Sequence, residues 1–333
     1  MTKKYKFLVL TDHSKHSKEN SVYALMSTLS QHSSCEKVDI VSRGNRANDA
    51  FFEEQETEKV YAISVTKDFT FDEIGQQFSK NGKVVAVRDY DVIILRLPRP
   101  VGSDFMGFIE YLGENKVIIN HPNGIEQTST KAFLLNFPKI CPPMKLCKSI
   151  DEILEFANRF PIVLKPLKEY GGKGLLKING DVLNDGSDDF DTNDYLRKQK
   201  EYIETEGYLA MKFLKNVSEG DKRILVVNGK ILASSLRLPA KDSWLCNVAQ
   251  GGRSVASEVT SEEEKIIRRI TPKLRRAGIL IFGADTLVDD DGKRILSEIN
   301  TLSIGGFPQA EKQTGRPVVQ EAIDGIIEFV KRV

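Results

Sequence analysis

The stretch "GADTLVDDDGKRILSEIN", residues 283–300, reads as two short strands joined by a turn. Asp-Gly between alternating apolar residues is the strongest short-range hairpin signal, and it predicts a two-residue turn at Asp291-Gly292. With Asp290 opposite Lys293, Val288 faces Ile295, Leu287 faces Leu296, Asp285 faces Glu298 and Gly283 faces Asn300. Side chains alternate across a strand, so Asp285, Glu298 and Asn300 emerge on one face, the last two about 7 Å apart. Like charges directly opposite each other are destabilising. Either a cation held between the oxygen donors or basic side chains from elsewhere must offset the repulsion, and the hairpin alone does not choose between them. Carboxylate and amide oxygens suit a hard ion such as Mg²⁺ or Mn²⁺, and Mg²⁺ held by few carboxylates normally accompanies phosphates. Gly283, opposite Asn300, is expected to leave open space above the site.

Phosphate binders of the familiar kinds, GxxxxGK[ST] and GxGxxG, do not occur in the chain. Instead "LKPLKEYGGKG", residues 164–174, places Gly171, Gly172 and Gly174 between two strands, where exposed backbone N–H groups can close over a triphosphate. Lys165, inside the apolar run "IVLKP", needs an anionic partner, either a phosphate or a structural acid. "DKRILVVNG", residues 221–229, sets Asp221 and Arg223 on one face, and "QGGRS" brings a glycine pair to Arg253; arginine is the usual clamp for carboxylate and phosphate. An unbroken register from an Asn228-Gly229 turn points Arg237 away from Arg223, and a bulge between them would bring the two together. The irregular run "RLPAKDSWLCNVAQGGRS", residues 237–254, has the length and composition of a functional loop.

The 333 residues accommodate roughly two or three domains. With 48 Lys+Arg against 47 Asp+Glu, neither nucleic acid nor an anionic membrane is expected as a partner. The N-terminal "MTKKYKFLVLTDHS" holds too short an apolar run for a signal-peptide core, and no run reaches membrane-spanning length, so a soluble cytoplasmic protein is expected. Cys35, Cys141, Cys147 and Cys246 form no CxxC pair and read as buried thiols. His13 and His16 lack the third ligand of a zinc site.

"YKFLVL" (5–10), "KVDIVSRG" (37–44) and "DVIILRLPRP" (91–100) read as strands, and "ENSVYALMSTLSQHS" (19–33) as a helix. That alternation predicts an open α/β sheet over about the first 120 residues. Residues 115–137 are expected to give a strand, a Pro-Asn-Gly turn and a helix capped by Thr128 or Ser129. Ser149 and Glu152, and again Ser261 and Glu264, have capping-box spacing before amphipathic helices; Pro272 should kink the second helix and Gly278 stop it. The acidic residues 179–194 lack the terminal Glu of a calcium loop and read as a solvated excursion. "PVVQEAIDGIIEFVKRV" (317–333) is a terminal helix.

The ordered set of Lys131, "VLKPL", "GGKG", "MKFL", "EGDKRILVVNGKIL", "NVAQGGR", "FGADTL" and "SEIN" resembles the ATP-grasp superfamily, and most closely its prokaryotic glutathione synthetase family. The likeness runs through most of the chain from about residue 118. It implies an α/β and α+β architecture, an ATP-grasp fold preceded by an N-terminal open parallel α/β domain. The implied division is 1–120 for the substrate domain, 121–210 for the ATP-grasp central and lid domain, and 211–333 for the catalytic domain. The resemblance further implies that Lys131 and Lys165 hold ATP phosphates with the glycine turn, that Met211, Lys212, Phe213 and Leu214 line the adenine slot, and that Asp221 contacts the ribose end. Asp285, Glu298 and Asn300 would hold Mg²⁺ or Mn²⁺. Arg223 and Arg237 would face substrate and transferring phosphate, with Asn247, Gly252 and Arg253 near the reaction centre, and Ser21 would touch the dipeptide. Where the family usually carries a Ser-Pro pair after "EIN", this chain has "TLSIGGF", so the acceptor pocket around Ser303 is expected to differ; the "LPAKDSW" loop also lacks glycines expected there.

The implied activity joins γ-glutamylcysteine to glycine with release of ADP and phosphate, in a homo-oligomer. A carboxylate does not condense with an amine in water because oxide is a poor leaving group; phosphorylating it from ATP supplies a better one, and the amine then attacks the acylphosphate. Water must be excluded, so residues 139–210 and 238–252 are expected to close as lids. A neighbouring alternative is another ATP-grasp peptide or amino-acid ligase with a different acceptor amine. A carboxylate kinase would stop at the acylphosphate, and a non-catalytic nucleotide-binding scaffold would be expected to have lost acidic ligands that are complete here.

Overall fold

Apolar runs at the start of the chain become the parallel centre of a sheet. The structure, a computed structural model, describes residues 3–241, 243–246 and 252–333. Strands β1 (Tyr5–Thr11), β2 (Cys35–Ser42), β3 (Lys59–Ser64), β4 (Lys83–Ala86), β5 (Val92–Leu95) and β6 (Val117–Ile119) lie in the order β4-β3-β2-β1-β5-β6. β1 runs parallel to β2 and β5, and β5 parallel to β6. β3 and β4 add an antiparallel edge, so the sheet is mixed rather than purely parallel. Those two segments are short and open on lysines, as tolerated at an edge and not in a doubly covered centre. Asn20 caps the helix Ser21–Ser30 by accepting from the Val22 N–H. That helix buries Val22, Leu25 and Leu29 in one cluster with Ile323 and Ile326 of the C-terminal helix Val318–Val330.

The second sheet is antiparallel: β7 (Met144–Cys147), β8 (Ile162–Pro166), β9 (Leu176–Asn179), β10 (Val182–Asn184), β11 (Asp189–Asp191) and β12 (Tyr208–Lys212), ordered β11-β10-β9-β8-β12-β7. The acidic segment 179–194 is therefore not a loose excursion. Leu183, fully buried, anchors β10, and Asp185 and Asp188 lie in the turn between β10 and β11. Before this sheet, Pro122-Asn123-Gly124 opens a helix (Pro122–Thr128) instead of a turn. Proline suits a first helical turn because its missing N–H would be unpaired there anyway. Thr128 closes the helix rather than capping the next, its hydroxyl donating to the Gly124 carbonyl at 2.7 Å.

The third sheet carries β13 (Asp221–Val227), β14 (Lys230–Leu238), β15 (Arg253–Ser257), β16 (Ile281–Val288) and β17 (Arg294–Asn300), ordered β15-β14-β13-β16-β17. The helix Ser261–Arg276 covers it and runs unbroken through Pro272. Its capping box is Thr260 with Glu263, one residue earlier than the spacing of Ser261 and Glu264 predicts. Glu263 is drawn inward because it also accepts from Lys222 of β13 (2.8 Å) and Thr286 of β16 (2.7 Å).

Candidate active site

The hairpin of residues 283–300 pairs Asp285 with Glu298 and Gly283 with Asn300, as the sequence predicts, but reaches that register by two compensating departures. Near the turn, Val288 pairs with Arg294 and Leu287 with Ile295. Asp289 N–H donates to the Lys293 carbonyl, so the loop holds three residues, with Gly292 at φ +81° in the left-handed position that such loops assign to glycine. Further along, Asp285 pairs with Glu298 but Thr286 with Leu296, which leaves Ser297 as a bulge and restores the expected register. The Ser297 hydroxyl donates to the Asp285 carbonyl at 3.0 Å and pins the bulge.

A second bulge decides what faces Asp285. The Asn228-Gly229 turn joins β13 to β14, and Leu225 pairs with Ala233 while Val226 pairs with Ile231, so Leu232 is the extra residue. That shift places Arg237 opposite Asp221 and on the face of Arg223. Arg223 grips Asp285 with two bonds, Nε to Oδ1 (2.8 Å) and Nη2 to Oδ2 (2.6 Å). Arg237 grips Asp221 the same way (2.6 Å each) and also donates to Asp285 Oδ2 at 2.8 Å. Burial opposes ionisation of Asp285, but Arg223 and Arg237 outweigh it and hold the carboxyl far below the usual range. Burial raises the Asp221 carboxyl, with Arg237 opposing and Asp285 adding to the rise.

Glu298 is ion-paired with Lys131 at 3.2 Å, and Lys165 Nζ donates to the Ser297 carbonyl at 3.1 Å. Both lysines are buried. Burial pushes Lys165 below its ordinary value, with Glu298 opposing and Lys131 reinforcing the shift. The Asn300 amide fits with its nitrogen donating to Glu298 Oε1 (3.1 Å) and its oxygen accepting from Arg223 Nη2 (3.0 Å). The acid-against-acid pairing is thus neutralised by arginines on one side and a lysine on the other. A Cβ on Gly283 would touch Ile304 and Arg223 at ordinary contact distance, so this glycine floors the Arg223 side chain instead of leaving open space.

These groups line a cleft of about 420 Å³ between the second and third sheets, closed on the N-terminal side by Asn20, Pro98 and Arg99 from loops of the first sheet. Met211, Lys212, Phe213 and Leu214 form one wall, Gly171 and Gly172 of the glycine turn another, and Ser303 belongs to a third. Gly174 stands outside the lining, its φ of +66° set over the Pro166 ring. Ser21 is not exposed to the cleft; its buried hydroxyl accepts from the Gly306 and Phe307 N–H groups, and its neighbour Asn20 lines the cleft instead. Gly252 and Arg253 do not line it either, because β15 is an edge strand three places from β16. Asn247 lies outside the described residues. Two contributors are not singled out by the local pattern, although one of them, Trp244, lies in the run 237–254 read as a functional loop. Arg99 donates to the Tyr170 hydroxyl at 2.9 Å beside the glycine turn. Trp244 packs edge-on to Phe213, with ring centroids 6.2 Å apart.

Asp285, Glu298 and the Asn300 amide oxygen form a donor set of the chemistry a hard divalent ion takes, so the residues fit such an ion. Both Asp285 oxygens are held by guanidinium groups, whereas Glu298 keeps 24 % of its side chain exposed. Residues 130–315, more than half of the chain, match the family described as prokaryotic glutathione synthetase, ATP-grasp domain. The chain belongs to that family. Among proteins similar to it, the glutathione synthetase of Bradyrhizobium diazoefficiens is 30 % identical over 260 residues, 77 % of this chain and 79 % of that protein. The glutathione synthetase of Agrobacterium fabrum is 31 % identical over 240 residues, 71 % of each. In fold, the crystal structure of D-cycloserine synthetase DcsG superposes with a TM-score of 0.67 at 9 % identity, covering 98 % of this chain and 99 % of that one. In this glutathione synthetase-family chain the matched residues span the second and third sheets, with the cleft between them.

Proposed function

We propose that the chain is an ATP-dependent carboxylate–amine ligase that joins γ-glutamylcysteine to glycine, yielding glutathione, ADP and phosphate. One observation carries the proposal: Lys131, Lys165, Arg223 and Arg237 converge on one cleft around Asp285 and Glu298, inside the stretch that matches the glutathione synthetase family. Such an array meets a polyphosphate and a developing acylphosphate with fixed positive charge, where little reorganisation is needed during reaction. Lys131 and Lys165 would bind phosphate oxygens beneath the glycine turn, and the 211–214 wall would seat the base.

Asp285, Glu298 and Asn300 would hold a divalent ion, Mg²⁺ or Mn²⁺, which when bound to ATP screens phosphate charge and orients the γ-phosphoryl group. Arg223 and Arg237 are poised to stabilise charge on the transferring phosphoryl and on the acylphosphate oxygens. Asp221 holds Arg237 in place from the opposite strand. Tyr170 and Trp244, at the rims of the two expected lids, would shield the acylphosphate from water. The three sheets support a division of the chain at about 1–120, 121–210 and 211–333. No helix among the described residues is long and apolar enough to cross a membrane. Family resemblance supports cytoplasmic placement and a homo-oligomer as parts of the same proposal.

The deciding assay measures ADP and phosphate release with γ-glutamylcysteine alone, glycine alone and both together. Turnover is expected with the pair. Stimulation by other amino acids but not by glycine would favour a different acceptor, ADP release without any amine would indicate a kinase, and AMP as product would overturn the acylphosphate route.

A further inference from the structure

One buried cation takes no part in the array described above. Arg96 follows β5 directly; its N–H donates to the Leu10 carbonyl at 2.8 Å. Its own carbonyl accepts from Thr11 Oγ1 at 3.3 Å and from Ser303 Oγ at 3.1 Å. The residue is only 4 % exposed. Its buried Nε has no hydrogen-bond partner among the described residues. No acid there offsets its charge, and burial alone pushes the guanidinium down to about 10. An unpaired buried charge is strongly unfavourable, so an arginine held this way calls for an anion that arrives with a ligand.

The neighbouring histidine is not that anion. Tyr23 and Thr11 flank the His16 ring, at 2.8 Å from Nδ1 and 2.8 Å from Nε2. The network is satisfied when Tyr23 O–H donates to Nδ1, Nε2–H donates to Thr11, and Thr11 donates to the Arg96 carbonyl. Burial, with help from His13 and Arg96, pushes His16 down to about 4, so it stands neutral beside the guanidinium.

Position identifies the ligand. β1 leads on to β2 on one side while β5 and β6 lie on the other, so the strand order switches between β1 and β5. Open α/β sheets bind ligands in the crevice outside the carboxyl ends of strands at such a switch. Thr11 ends β1 and Arg96 follows the end of β5, so both stand at that crevice. Ser303, bonded to the Arg96 carbonyl, lines the main cleft, so the arginine lies directly behind the cleft wall. ATP phosphates already have Lys131, Lys165 and the glycine turn. The carboxylate that reacts must meet the arginines of the third sheet. A γ-glutamyl dipeptide carries one further carboxylate, and the planar guanidinium fork matches that group with two bonds.

We propose that Arg96 receives the non-reacting α-carboxylate of the glutamyl end of the acid substrate, in the crevice between β1 and β5. This assignment rests on the functional proposal above, and the two fail in different ways. The test compares kcat/KM for γ-glutamylcysteine and for 4-aminobutanoyl-cysteine, the same acid without that carboxylate, in the wild type, Arg96→Met and Arg96→Lys. The wild type should favour the complete dipeptide by about a hundredfold or more, since a site built for a charged group rejects an analogue lacking it. Arg96→Met should cut that preference to below about tenfold by raising KM for the dipeptide alone, and Arg96→Lys should fall between. KM for ATP and for glycine should stay unchanged, and the melting temperature of Arg96→Met should not fall. Undiminished preference in Arg96→Met, or equal loss on both acids, overturns the assignment while leaving the ligase activity standing. A wild type that turns over neither acid removes the functional proposal and this one with it. Dipeptide binding to the wild type alone, followed by thermal shift, keeps the test decisive should a variant misfold: equal shifts by the two acids overturn the assignment.

Discussion

Glu298 sits where structure and chemistry pull in opposite directions. Lys131 pairs with it, yet a quarter of its side chain faces the cleft. Structural ion pairs that are partly open to solvent contribute little to stability. Glu298→Gln keeps the shape but leaves the buried Lys131 facing an uncharged amide at a site partly open to solvent, so the fold should lose about 1–3 kcal/mol, less than a fully buried pair would cost. Turnover should fall by about 10² or more, because the ion site loses a ligand and the cation array a counter-charge. ADP release measured beside thermal unfolding checks both halves, and undiminished turnover would contradict the metal assignment. The sequence makes Glu298 and Asp285 visible because alternation along two strands is a local rule. It does not make visible that Asp285 is shared by two arginines, since one of them reaches it only through the Leu232 bulge. Arg96 gives no local signal for a related reason: in sequence a buried arginine at the end of an apolar strand is indistinguishable from any strand-end charge, and only folding surrounds it, among the described residues, with no acid.

At the scale of elements, the helix Ser261–Arg276 is fastened by Glu263. That carboxylate is fully buried, accepts the Thr260 N–H, and pairs with Lys222 at 2.8 Å. Burial disfavours its charge, but the bonds from Lys222, Thr260 and Thr286 outweigh this and hold the carboxyl below its ordinary 4.5. A lowered folded value means that the unfolded chain binds the proton first as acid is added. The stabilisation is therefore whole above about pH 4.5 and is lost as pH falls through the lower folded value. Glu263→Gln should cost about 3 kcal/mol at neutral pH, because Lys222 is left buried without a counter-charge. It should also flatten the acid limb of the stability profile, and denaturant titration from pH 7 to pH 3 reads both effects. Equal acid sensitivity in variant and wild type would show that Glu263 is not the group responsible. Capping-box spacing located this helix start to within one residue; the choice of Thr260 over Ser261 followed from Lys222, which the local pattern does not contain.

Across the whole molecule, Asn120 joins the N-terminal sheet to the third sheet. Its Oδ1 accepts the Leu280 and Ile281 N–H groups at 2.8 Å each, and its Nδ2 donates to the Ile281 carbonyl (2.6 Å) and the Thr301 carbonyl (2.8 Å). Asn120→Ala strands four buried backbone groups behind the hairpin strands that carry Asp285 and Asn300. A loss of about 3–5 kcal/mol is expected, read as a lower denaturation midpoint. Kinetics should deteriorate too, since Thr301 leads directly into the Ser303 wall of the cleft. A variant with wild-type stability would mean that water replaces the amide without penalty.

Features that depend on a few neighbouring residues were legible in the chain alone. They include the Asn228-Gly229 turn, the hairpin that faces Asp285 with Glu298, the glycine turn at 171–174 and the apolar strands of the first sheet, because steric limits on the backbone and side-chain alternation act over short spans. Packing alone settled which cations meet those acids, that Ser21 braces the wall while Asn20 lines the cleft, and that Arg96 has no acid beside it among the described residues. Those outcomes depend on segments far apart in the chain meeting in a medium of low polarity, where burial magnifies every unmatched charge, and no local pattern records which partners packing will deliver.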